Sequence, residues 1–153
     1  MSPTKEFVIP KEKAVFRLDG QGRWHNAQGP LQHPKIINHF HRSIRRDAGG
    51  YHLFQDHGTH VEKVYFPYAD TALFVWDLSA GQVIELRLNT GRRIPLDPQG
   101  MVLKGEALYY DDNGEWIKFT DRALLKLAPC LDESGEGLSL TLGNRSYPIR
   151  QAD

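Results

Sequence analysis

The segment Asp19-Gly20-Gln21-Gly22-Arg23-Trp24 returns ninety-two positions later as Asp111-Asp112-Asn113-Gly114-Glu115-Trp116, with the Asp, the second Gly and the Trp in the same places. Glycine supplies the positive φ that a tight turn requires, so each copy reads as the turn of a β-hairpin. Asn113-Gly114, between Tyr109-Tyr110 and Trp116-Ile117, is the stronger of the two signals. After a short spacer, each copy leads into an amphipathic helical segment, then a polar glycine-containing turn and an alternating strand. A repeated motif with a matching order of elements on both sides is the mark of a duplicated unit. It predicts an α+β fold, mostly antiparallel β with two helices, in two related β-rich halves.

The expected division is an N-terminal arm over residues 1–13, a first half over 14–98 and a second, smaller half over 99–153. In the arm, Phe7-Val8-Ile9 is suited to dock as an edge segment. The first helix is predicted over residues 34–46. Pro34 is tolerated at a first helical position, where its missing N–H would be unpaired anyway. Ile36, Ile37, Phe40 and Ile44 fall within about 100° on a helical wheel. Arg45 and Arg46 then suit the negative end of the helix dipole, before Asp47-Ala48-Gly49-Gly50 stops the helix. Strands are predicted at 51–55, 61–68, 72–77 and 83–88, the last two joined through Ser79-Ala80-Gly81. The second helix, 121–128, follows Thr120 as N-cap and is limited by Pro129.

Composition excludes some classes of function. A chain of 153 residues has the usual size of one domain and needs no covalent staple. Nineteen basic and nineteen acidic residues cancel, so the basic excess of a nonspecific nucleic-acid binder is absent and no nucleic acid is expected. Cys130 is the single cysteine, which forbids an intrachain disulfide and favours a reducing, cytoplasmic setting. The longest apolar run, Ala72-Leu73-Phe74-Val75-Trp76, is far below the ~20 residues of a membrane span, and no membrane insertion is expected.

All seven histidines lie within the first 60 residues: His25, His33, His39, His41, His52, His57 and His60. Such clustering raises a transition-metal site. His39 and His41, two apart on a helix, point about 200° apart and cannot chelate one ion. His57 and His60, with Asp56 or Glu62, are the metal alternative; packed histidines with satisfied ring nitrogens are the plainer reading. Asp111, Asp112 and Glu115 hold only a fragment of a calcium loop, and hairpin-turn chemistry accounts for them. Arg42, Arg45 and Arg46, then Arg92 and Arg93, are guanidinium groups able to hold phosphate or carboxylate, or else ordinary helix-end and loop cations. Cys130 has no neighbouring cation to activate it. No phosphate loop, nucleophile elbow or dinucleotide fingerprint is present, so no catalytic residue is assigned and no cofactor is expected.

Asp19-Gly20 with Gly22-Arg23-Trp24, then Arg45-Arg46-Asp47, Gly50-Tyr51, Glu62-Lys63-Val64, Asp70 and Leu88-Asn89-Thr90-Gly91, together resemble an uncharacterised bacterial family known as a domain of unknown function. The resemblance covers roughly residues 15–149. It implies two related β-rich halves, each with a helix, of a pleckstrin-homology-like kind, with a part in signalling attached only as a suggestion. The family brings no catalytic residues with it. His39 and His41 depart from its pattern, at positions expected to be apolar or small.

The function expected is that of a noncatalytic module binding a small anionic ligand or a protein segment between its halves, with Arg45, Arg46, Glu62 and Lys63 as contact residues. The alternatives are a metal-dependent enzyme using His57 and His60, and a structural subunit whose exposed strands pair into a homo-oligomer or larger assembly.

Overall fold

Asp19 builds the first turn from inside. Its Oδ1 accepts hydrogen bonds from the Gln21 and Arg23 amides at 2.9 Å each, and Gly22 takes the left-handed conformation that closes the loop, with φ of 83°. The computed structural model of the chain describes residues 5–80 and 83–153. Residues 1–4 of the arm and Gly81 of the predicted Ser79-Ala80-Gly81 turn lie outside them. The chain divides into two compact units, Met1–Ala72 and Leu73–Asp153.

In the first unit, β1 (Lys5–Ile9) precedes a small meander of β2 (Arg17–Leu18), β3 (Trp24–Asn26) and β4 (Gly29–Pro30). Helix α1 (Pro34–Arg42) follows, then β5 (Ile44–Asp47), β6 (Gly50–Asp56) and β7 (His60–Tyr65). These strands form a four-stranded sheet in the order β1-β7-β6-β5, with β1 parallel to β7 at one edge. Trp24 is the centre of the apolar packing. Its ring meets Phe16, Phe40 and Phe66 at centroid separations of 5.8, 5.4 and 4.9 Å, offset or edge-on as ring quadrupoles prefer. Leu18, Ile44, Leu53 and Val64 are buried as well.

Helix α1 ends four residues before the predicted limit. The Ser43 amide donates to the His39 and Phe40 carbonyls, and its hydroxyl donates to His39 O at 2.6 Å, closing the last turn. Ile44 then starts a strand paired with Leu53. Arg45 and Arg46 therefore sit on β5 and have no part in the helix dipole. The helix buries His41, with Ile37 and Phe40 half-covered, while Ile36 is exposed.

The second unit is built on a seven-stranded sheet, ordered β10-β9-β8-β13-β12-β11-β17. Its strands are β8 (Leu73–Ser79), β9 (Glu85–Leu88), β10 (Arg93–Pro95), β11 (Met101–Lys104), β12 (Ala107–Asp112), β13 (Glu115–Phe119) and, after further elements, β17 (Arg150–Ala152). The residues of β8, β9 and β10 fall in the stretch expected to form the first half, 14–98, with strands predicted at 72–77 and 83–88 and none at β10. All three belong here because β8 pairs in parallel with β13 through Leu73, Phe74 and Val75. Asn89 fixes the turn after β9: its side-chain oxygen accepts from the Phe74 amide at 3.0 Å, and its own amide donates to Phe74 O.

Helix α2 (Asp121–Leu127) is capped by Thr120, whose Oγ1 accepts from the Ala123 amide at 3.2 Å and donates to Val75 O at 3.0 Å. Ala123 and Leu127 are its buried positions. A 3₁₀ turn through Pro129 leads to the meander β14 (Leu131–Ser134), β15 (Gly137–Leu142) and β16 (Arg145–Pro148). The chain is thus α+β, mostly β-strand with two helices and several antiparallel sheets.

The repeated Trp motif does not mark equivalent positions. Its first copy closes a three-residue loop and pairs Trp24 with Leu18; its second closes the two-residue loop Asn113-Gly114 and pairs Trp116 with Asp111. Trp24 is 1% exposed, whereas Trp116 is half-buried beside Tyr109, with Lys104 Nζ 5.7 Å from its ring. What recurs is the order behind it. Pro34, Ile44 and Gly50 open α1, β5 and β6; Asp121, Leu131 and Gly137, each 87 residues later, open α2, β14 and β15. Gly50 and Gly137 also share a left-handed turn conformation, with φ of 109° and 120°.

Candidate functional site

Alternation along paired strands decides which of the expected contact residues can act together, because directly opposed residues share a sheet face. Arg45 opposes His52, and His52 opposes Tyr65; Lys63 opposes Phe54 and Val8. Arg46 opposes Tyr51, and Glu62 opposes Gln55 and Phe7. Arg45 and Lys63 therefore lie on one face of the sheet and Arg46 and Glu62 on the other. The four do not form one site.

Lys63 instead joins a cluster with residues that sequence reasoning passed over. Its Nζ lies 3.0 Å from Asp47 Oδ2 and 3.4 Å from Glu6 Oε1. The Tyr65 hydroxyl donates to Asp47 at 2.9 Å, and the Gly49 amide donates to the same carboxylate at 2.9 Å. The Lys63 hydrogen bond, helped by Tyr65 and Gly49, holds the Asp47 carboxyl down at about 2. Asp47 in turn raises the Lys63 ammonium, and burial followed by the Asp47 contact raises the Tyr65 phenol. Buried His52 lies beneath, its Nδ1 3.3 Å from Gly50 O and 3.8 Å from Asp47 Oδ1. A Cβ on Gly49 would stand 2.8 Å from the Tyr65 hydroxyl, so the absence of a side chain there lets Tyr65 reach Asp47.

Tyr65 and Gly49 also line a cleft of ≈ 450 Å³ within this unit, with Val8, Lys11, Tyr51 and Tyr68 among its other walls. Tyr51 and Tyr68 meet edge to face at 5.7 Å. Lys11 Nζ stands 5.6 Å from the Tyr68 ring centre, and the Arg46 guanidinium 5.7 Å from that of Tyr51. Two cations are thus held against the aromatic corner by ring quadrupoles. The signal in the sequence is Tyr51 directly after Gly49-Gly50, but Lys11, Tyr51 and Tyr68 come from separate segments that only the fold brings together.

The histidines are dispersed. His57 and His60 stack face to face at 4.6 Å in their turn, and His60 Nδ1 meets Thr59 Oγ1 at 3.0 Å. Stacked rings aim their nitrogens away from a shared point. Burial would raise the Asp19 carboxyl, but the Arg23 amide, His25 at 2.7 Å and the Gln21 amide together outweigh it and keep the carboxyl low. Among the described residues no group of three His, Cys, Asp or Glu side chains is placed to hold a metal ion. No described helix is long and apolar enough to cross a membrane.

No family model and no curated protein matches the chain. Solved structures that match include a DUF1285 family protein from Silicibacter pomeroyi DSS-3, with a TM-score of 0.60 and 15% identity, covering 97% of this chain and 82% of the other. A DUF1285 family protein from Shewanella baltica OS155 matches with a TM-score of 0.55 and 18% identity, over 78% of this chain and 94% of its own. At these identities the likeness is one of fold. The chain shares its fold with DUF1285 family proteins, bacterial proteins of unknown function, in keeping with the resemblance its motifs carry.

Proposed function

We propose that the chain is a noncatalytic binding module whose first unit takes a small anionic ligand with a flat or apolar body. The observation that carries this reading is the ≈ 450 Å³ cleft walled by Tyr51, Tyr65 and Tyr68, with Lys11 and Arg46 poised on its rings. That volume falls within the ~300–1,000 Å³ of small-molecule sites. Tyrosines supply apolar contact and hydroxyls at little entropic cost. Asp47 is already paired with Lys63, and Lys11, itself in the cleft wall beside the Tyr68 ring, is placed to attract the ligand's charge. A role in bacterial signalling would fit a module of this kind, and descent from one copied helix-and-meander unit would fit the recurring order of elements.

A thermal-shift screen against anionic metabolites and signalling nucleotides, with the anionic dye anilinonaphthalene sulfonate as a displaceable probe, tests the proposal. The expected result is saturable binding, weakened about tenfold by Tyr68→Ala or Lys11→Gln. A screen with no positive compound, or binding indifferent to both substitutions, would end it.

One observation favours a second reading, in which a protein segment adds to the sheet. Strand β1 lies at the sheet edge with Phe7 51% and Val8 52% exposed, and an open edge is a template for another strand. A monomer by light scattering at every concentration, unchanged by Val8→Lys, would remove self-pairing through this edge.

A further inference from the structure

The sheet of the second unit carries a row of charge that has no part in the tyrosine cleft. Asp77 on β8 directly opposes Arg87 on β9, and Arg87 directly opposes Arg93 on β10, so the three side chains share one face. Helix α2 adds Arg122 and Lys126, one turn apart. Lys126 Nζ pairs with Asp77 Oδ1, while Arg87 and Arg122 stand 3.5 and 3.8 Å from Oδ2. Glu85, on the same face as Arg87, lies 3.7 Å from Arg93.

This arrangement is unbalanced in two ways. Four cations meet two carboxylates, a surplus of two positive charges in a chain whose formal net charge is zero. Arginines directly opposite each other on neighbouring strands also repel. Asp77 does not satisfy the group: its contacts to Arg87 and Arg122 exceed the roughly 2.7–2.9 Å of a charge-assisted hydrogen bond. The Arg93 and Arg122 side chains remain 64% and 67% exposed, within reach of a solute.

We propose that Arg87, Arg93, Arg122 and Lys126 form a binding site for a phosphate monoester in its dianionic form. The surplus of two charges matches the ligand's two. Three planar guanidinium groups present paired N–H donors with the spacing of phosphate oxygens. Asp77 is a positioning residue, holding the Lys126 ammonium and drawing Arg87 and Arg122 to one spot. The side chain of Glu85 does the same for Arg93. The site is independent of the ligand assigned to the first unit.

The test is a backbone amide NMR titration of the full chain with inorganic phosphate, glycerol phosphate and, separately, phosphatidic acid in phosphatidylcholine vesicles, against sodium chloride at matched ionic strength. The expected result is saturable shifts at Asp77, Arg87, Arg93, Arg122 and Lys126 that chloride does not reproduce. Arg87→Gln and Arg122→Gln, checked for fold by circular dichroism, should each weaken binding about tenfold, while Arg17→Gln leaves it unchanged. Affinity should fall below about pH 6, where the phosphomonoester loses its second charge. Saturation by either soluble phosphate assigns a free ligand, and saturation by vesicles alone assigns a lipid headgroup. Linear shifts, a response equal to that of chloride, binding unmoved by both substitutions, or tighter binding of an oligonucleotide phosphodiester would each overturn the proposal.

Discussion

Trp24 donates its indole N–H to Nδ1 of His41 across 3.3 Å in the buried core of the first unit. The bond requires Nδ1 to be an acceptor, so the neutral imidazole carries its proton on Nε2. Burial lowers the His41 imidazole from an ordinary 6.5 to about 4. Between those values the unfolded chain binds a proton that the folded one refuses. Stability should therefore be level above pH 6.5 and decline as pH falls towards 4, by about 3 kcal/mol from this group. Denaturant unfolding across this range, in a Trp76→Phe/Trp116→Phe background that leaves Trp24 as reporter, measures it. His41→Gln retains an acceptor for Trp24 and should flatten that part of the profile.

Asp47 acts in the same direction, in a more acidic window. Its carboxyl is depressed to about 2 chiefly by Lys63, so its contribution is complete above the ordinary 3.8 and disappears as pH falls towards 2. Lys63→Met removes the first cause, and the Asp47 carboxyl, followed by carbon-detected NMR titration, should move up towards 3.8. An unmoved value would mean that Tyr65 and Gly49 suffice.

Two glycines offer a graded test of packing. At Gly49 an added methyl meets the tip of Tyr65, a side chain that can swing away. Gly49→Ala should cost about 1 kcal/mol and break the Tyr65–Asp47 bond, visible as a fall in the phenol's raised pKa. At Gly100 the methyl would lie 2.7 Å from the buried ring of Tyr110 and 3.2 Å from the Asp111 carbonyl. Neither can withdraw easily, so Gly100→Ala should cost more, about 2–3 kcal/mol by thermal unfolding.

Thr120 does two things at once, capping α2 and bonding the Val75 carbonyl of β8. Thr120→Ala should destabilise the second unit by about 1–2 kcal/mol. Thr120→Ser keeps both bonds and should recover most of the loss. Equal losses for the two would assign the effect to the methyl group.

The readable parts of the fold were those specified locally. Asn113-Gly114 turned as expected, with φ of 54° and 96°, and Thr120 capped its helix. Residues 44–46 misled because Ile44 continues the helical stripe of Ile37 and Phe40, while the pairing of Ile44 with Leu53 is set by a strand not yet reached in the chain. The adjacent pairs Arg45-Arg46 and Glu62-Lys63 invited grouping, yet a strand sends neighbours to opposite faces. Arg87 and Arg93 could not be seen as neighbours without the register of β9 and β10. The same limit hid the tyrosine cleft, whose walls include Lys11, Tyr51 and Tyr68.

The pairing of β1 with β7 closes a loop that holds the whole stretch between Lys5 and His60. Closing so long a loop costs entropy for a single ladder at the sheet margin, which makes this strand the natural first segment to detach. Val8 of that strand is also a wall of the cleft. Detachment and occupancy must then oppose each other: a bound molecule should clamp the amino-terminal segment and slow its amide exchange, and a modification that peels the segment off should eject the molecule without touching the tyrosines.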